Sequence, residues 1–113
     1  MEITYRTNKL RKIASKAATR QKELGTVRAK NFEKRITELK NAHCLEDLRH
    51  LPQAGIHELT GNRKGQFAAN LSGNHRLIFV PKDEPDPRKA DGGWDWSAIT
   101  IVEITETIDY HGN

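Results

Sequence analysis

Only one cysteine, Cys44, occurs among the 113 residues. No internal disulfide can form, which fits a reducing cytoplasm. No stretch approaches the roughly 18 consecutive apolar residues that a membrane span needs. The opening Met1-Glu2-Ile3-Thr4-Tyr5-Arg6 also lacks the apolar core of a secretory signal. A soluble cytoplasmic protein without membrane contact is expected. Chemistry-bearing signatures are equally sparse. There is no phosphate-binding loop, no dinucleotide fingerprint and no Cys/His spacing suited to zinc. His50, His57, His75 and His111 with a lone cysteine do not compose a metal set, so neither metal nor cofactor is expected. Repeats and low-complexity tracts are absent. Apolar residues make up 35% of the chain, enough at this length for one core, and a single domain over 1–113 is expected.

Charge is abundant and unevenly placed. The first 45 residues hold twelve Lys/Arg against four acids, and the remainder seven against eleven, so a net charge of +4 hides halves of +8 and −4. A basic half suits a polyanion or an acidic protein partner. Two amphipathic helices with solvated lysine faces would give the same count.

The hydrophobic period changes along the chain. Ile3–Tyr5 reads as a short strand. From Lys9 the pattern is helical, with Leu10, Ile13, Ala17 and Leu24 on one face and Lys12, Lys16, Arg20 and Lys22 on others. Gly25 should end this helix and Thr26 cap the next, in which Phe32, Ile36, Leu39 and His43 repeat at helical spacing. The two helices should form a hairpin. Beyond Pro52 the period is that of strands: Ile56–Thr60, a glycine-bounded turn from Gly61 to Gly65, Gln66–Leu71, a turn at Ser72-Gly73-Asn74, then the apolar His75–Val80. A loop over Pro81–Asp95 precedes a last strand, Ser97–Asp109. Strands in sequence joined by short turns pair antiparallel. The expected fold class is α+β: an N-terminal αα-hairpin packed on one face of an antiparallel β-sheet, with the other face open.

Asp109-Tyr110-His111 closes the last strand with three ionisable groups, an odd choice for packing. At a strand end they would stand at the rim of the exposed face, where Arg76 and His57 could converge. Taken with Leu51-Pro52, with Gly55-Ile56-His57-Glu58-Leu59-Thr60-Gly61-Asn62-Arg63-Lys64-Gly65-Gln66 and with Leu71-Ser72-Gly73-Asn74-His75-Arg76-Leu77-Ile78-Phe79, this terminus resembles the HigB branch of the RelE toxin superfamily. The resemblance spans essentially the whole chain. It implies a microbial-ribonuclease-like fold, metal-independent cleavage of messenger RNA on the ribosome, and a helix-turn-helix antitoxin of the HigA type as partner. By matching position it makes His57, Arg76, Asp109, Tyr110 and His111 the catalytic set. Two departures stand out. Thr60 occupies a place where many relatives carry lysine, a cation that Lys64 or Arg63 would have to supply here. His75 replaces a common tryptophan beside Arg76.

The residue types suit that chemistry on their own terms. Without a metal, the RNA 2′-hydroxyl attacks the adjacent phosphorus, which excludes DNA. The reaction needs a base near neutral pKa, an acid for the departing 5′-oxygen and cationic donors for the phosphorane oxygens. His57 and His111 suit the first two roles in either order. Arg76 suits the phosphate, because its planar donors bind oxygens in pairs. Asp109 would orient His111, and Tyr110 would stack on a base or donate to the phosphate. Arg63, Lys64, His75, Lys12, Lys16 and Arg20 are the expected RNA-binding residues. Plainer roles compete for several of these. His57 reads equally as a surface residue, Arg76 as an ion-pair partner of Asp109 and Tyr110 as a cap on the sheet. Trp94 and Trp96 would either stack on RNA or anchor the long loop. Two other functions compete: a toxin without nuclease activity that blocks DNA gyrase, as in ParE relatives, and a non-catalytic RNA-binding module.

Overall fold

The computed structural model describes residues 1–109. Strand β1 (Glu2–Tyr5) leads into helix α1 (Asn8–Ser15) and the bent helix α2 (Ala17–Asn41). Then follow β2 (His57–Glu58), β3 (Phe67–Ser72), β4 (His75–Pro81) and β5 (Ile101–Asp109). The class is α+β, with the helices on one face of a five-stranded sheet ordered β1-β5-β4-β3-β2. Pairing is antiparallel from β2 to β5, while β1 joins β5 in parallel, so the sheet is mixed at that edge. The short-turn argument binds only strands that follow one another closely. β1 is separated from β5 by nearly the whole chain and is free to run either way.

The helical hairpin differs from expectation at its start. Thr7 caps α1, its hydroxyl accepting from the Leu10 N–H at 3.1 Å. The helix then stops at Lys16, whose backbone is extended, instead of running on to Gly25. No local breaker explains the stop; the explanation lies in packing. Lys9 and Glu23 would stand about 21 Å apart along a straight helix, yet their side chains meet at 3.1 Å. The chain therefore folds back at Lys16. Leu10, Ile13 and Leu24 are all buried in this arrangement, whereas Ala17 is exposed. Arg20 crosses the break, its Nη1 donating to the carbonyls of Ile13 and Ala14 at 3.0 Å each. A second reversal falls at Gly25, as expected: its φ of +78° suits glycine. It lets Arg20 reach Glu33 at 3.4 Å. Thr26 takes the amide of Gln21 at 2.7 Å across this bend. The amino group of Met1 donates to Leu39, Lys40 and Ala42 carbonyls, placing a cation at the end of α2 where carbonyls lack helical partners.

Because Arg20 satisfies two helix-terminal carbonyls with a side chain only 13% exposed, Arg20→Ala is expected to destabilise the fold by about 1–3 kcal/mol. Urea denaturation measures this. An unchanged midpoint would mean that water satisfies those carbonyls equally well.

Alternation along the strands divides the sheet cleanly. Phe67, Ala69, Leu71, Leu77, Phe79, Val102 and Ile104 face the helices and pack with Phe32, Ile36 and Leu39. The opposite face carries a smaller cluster of Leu59, Ala68, Ile78 and partly buried Ile108. Leu77, Ile78 and Phe79 are all fully buried, so β4 is covered on both sides as its apolar run implied. The β3–β4 register skips Leu71, and Asn31 of α2 donates to the carbonyl of that residue. β2 is shorter than Ile56–Thr60, because Gly61–Arg63 winds into a 3-10 turn. β5 starts at Ile101 rather than Ser97, because Asp95 caps a 3-10 turn over Trp96–Ala98. The Ser97 hydrogen bonds hold the Asp95 carboxyl below the usual carboxylate range. His43 falls beyond α2 and is exposed, so it does not extend the buried stripe. No helix among the described residues is long and apolar enough to cross a membrane.

Candidate nucleic-acid interface

Register places two of the expected catalytic residues on the face opposite the helices. His57 lies opposite Ala68, which lies opposite Ile78, which lies opposite Glu106. The neighbouring row runs Asn70, Arg76, Ile108. His57 on β2 and Arg76 on β4 are two strands and one row apart, about 12 Å, with the buried Ala68 and Ile78 as an apolar floor between them.

His57 is exposed, and its Nδ1 lies 2.9 Å from the Gly55 carbonyl. Donation by Nδ1–H to that carbonyl selects the tautomer in which Nε2 is the proton-exchanging atom. Gly55 itself sits where only glycine fits. Its φ is +54°, and a Cβ there would stand 2.3 Å from Nδ2 of Asn70. Arg76 is half-buried and folds over its own hairpin, Nη1 donating to the carbonyls of Gly73 (2.6 Å) and His75 (3.0 Å). Its buried Nε has no hydrogen-bond partner among the described residues.

The remaining expected residues divide between the two faces. Asp109 pairs in register with His75, and alternation puts both on the side of Leu77, away from Arg76. The convergence of Asp109 with Arg76 on one face is corrected by that register. Tyr110 and His111 lie outside the described residues. Arg63 donates through Nη1 to Gln66 at 2.9 Å and Glu106 at 3.1 Å. Lys64 is exposed in the adjoining turn. Lys12 and Lys16 are exposed on the helical side, opposite His57 and Arg76. Arg20 is drawn into the α1–α2 junction rather than presented to a ligand. Arg35 is likewise interior, 4% exposed, with bonds to the carbonyls of Gln53 and Asn70 and an ion pair to Glu38 at 2.8 Å.

Both tryptophans anchor the long loop. Trp96 is buried, donates Nε1–H to Glu58 at 2.9 Å and packs edge-on to Phe67, with the Arg49 guanidinium 3.9 Å above it. Trp94 tilts against Phe67 on one side and carries Arg88 at 4.1 Å. Glu106 is the residue that the sequence reading overlooked. Its signal was the alternation of β5 beyond Ile104, obscured by a register shift between Ile78 and Phe79. Among the described residues no group of three His, Cys, Asp or Glu is placed to hold a metal ion.

Neither a protein-family model nor a curated protein matches the chain. Among solved structures, the YoeB-YefM complex from Staphylococcus aureus is 16% identical with a TM-score of 0.49, covering 99% of this chain and 98% of that one. The YoeB/ParE toxin from Agrobacterium tumefaciens is 11% identical with a TM-score of 0.50, over 99% of this chain and 100% of that one. At that identity the likeness is one of fold: the helices-on-sheet architecture is shared with that toxin along the full length of both chains.

Proposed function

We propose that this protein is the toxin of a toxin–antitoxin pair, an endoribonuclease of the RelE/HigB type that cuts messenger RNA on the ribosome without a metal. The observation that carries the reading is the placement of His57 and Arg76 on one open sheet face, across an apolar floor, with the helices behind. The fold shared with a YoeB/ParE toxin supports it. In this reading Arg76 leaves its hairpin carbonyls for the non-bridging oxygens of the scissile phosphate, its fork matching two oxygens at once. His57 Nε2 exchanges a proton with the 2′-hydroxyl or the departing 5′-oxygen, and His111 takes the complementary role. Tyr110 stacks on a base or donates to the phosphate, and Asp109, on the other face, takes no part in holding it. Arg63 and Lys64 flank the messenger, and Lys64 supplies the cation that Thr60 lacks. Lys12 and Lys16, on the opposite side, meet ribosomal RNA through contacts that add affinity and little sequence information. A helix-turn-helix antitoxin holds the toxin inactive.

Induced expression tests the function directly. Growth arrest accompanied by loss of messenger RNA is the expected result. Arrest with DNA damage and intact messenger would assign the fold to a gyrase-directed, ParE-like toxin. No arrest would leave a non-catalytic RNA-binding module.

A further inference from the structure

We infer that Glu106 is a built-in competitor of the RNA backbone, occupying Arg63 on the open face until a phosphate displaces it. The inference rests on the reading of that face as an RNA site. Glu106 stands in the same cross-sheet row as His57, Ala68 and Ile78. On adjacent strands it is one pair-step, about 7 Å, from Arg76. Glu106 lies one strand beyond Arg76, so a strand of RNA that runs from His57 across Arg76 and continues over β5 meets it. The Arg63 guanidinium is 3.1 Å from Glu106, and the buried Leu59 pins the start of the same segment onto the face. Arg63 meets Gln66 and Glu106 through Nη1, and its guanidinium carries further donors at Nη2 and Nε.

The two acidic residues that this face carries on β5 are held differently. Glu103 sits between Arg6 at 2.8 Å and Lys82 at 3.7 Å, with its side chain 17% exposed. Glu106 is 41% exposed and is held by Arg63, itself 28% exposed. An exposed pair of this kind is weak and exchangeable, and phosphate is a comparable acceptor for the same fork. When a phosphate takes Arg63, Glu106 is left to recruit a solvent cation. The counterion released from the RNA is then matched by one taken up, so the contact adds affinity without adding to the salt dependence.

The test uses the purified full chain and a short single-stranded 2′-O-methyl RNA, which cannot be cleaved, with anisotropy read across a salt series. Glu106→Gln should tighten binding by about two- to fivefold at low salt. It should also steepen the slope of log affinity against log salt by about 0.7, the release of one counterion from a single strand. In an Arg63→Gln background the same change should do much less and leave the slope alone. Equal gains in both backgrounds would reduce Glu106 to a general like-charge repeller and overturn the inference. So would an unchanged or weakened affinity in a Glu106→Gln protein whose melting temperature matches the wild type. Failure of both wild type and Glu106→Gln to bind the RNA at low salt would instead overturn the reading of the open face, and the inference with it.

Discussion

Arg76→Ala is expected to lower messenger RNA cleavage on programmed ribosomes by about 100- to 1,000-fold, the cost of removing one donor from a developing oxyanion. The fold should survive. Arg76 is half-buried at the β3–β4 turn, and the two carbonyls it holds belong to an exposed hairpin that water can reach. Arg76→Lys should recover only part of the rate, because an ammonium keeps the charge but not the planar pair of donors. His111→Ala should match the alanine variant if it supplies the second proton-transfer group. Cleavage is read by primer extension, and toxicity by growth after induction at matched protein level. Full toxicity in both alanine variants would remove the nuclease assignment.

The largest loss of stability is expected from Phe67→Ala, about 3–5 kcal/mol. Phe67 is fully buried and stacks on Phe79 at 5.5 Å, with Trp96 edge-on at 5.3 Å and Trp94 tilted at 5.8 Å. Through that aromatic group one side chain joins β3, β4 and the long loop. Truncation leaves a cavity that rigid neighbouring rings cannot close, and the cost of a cavity is set by how little its walls relax. Phe67 also lies opposite Glu58 in register, one residue from His57, so activity should decline with stability in this variant. Phe67→Leu, which keeps more volume, should cost markedly less. Urea denaturation with an unchanged m-value is the measurement. A loss under about 1 kcal/mol would show that the loop holds without the aromatic cluster.

Much of this molecule was legible residue by residue, because local pattern and local geometry coincide there. Gly25 marks a reversal that needs positive φ, and the turn residues after Leu71 separate two strands that pair with each other. The unbroken apolar run Leu77-Ile78-Phe79 is buried throughout, Ile78 beneath the small cluster around Leu59. His57 and Arg76 were singled out by the motifs that carry the family resemblance, and alternation assigns each a face once the register is known. Where the chain contacts distant parts of itself, pattern was silent. The stop at Lys16 has no local breaker; it exists because Leu10, Ile13 and Leu24 must all reach one core. Arg20, expected among the RNA-binding residues, and Arg35 are drawn inward by helix-end and loop carbonyls formed elsewhere in the chain. The parallel pairing of β1 with β5 and the side of the sheet taken by Asp109 depend on strand register. Composition, charge and element type were thus determined by the sequence itself, since propensity and periodicity act over a few residues. Which cations remain on the surface, and which groups share the open face, was decided only by tertiary structure, because burial and register are set by partners far apart in the chain.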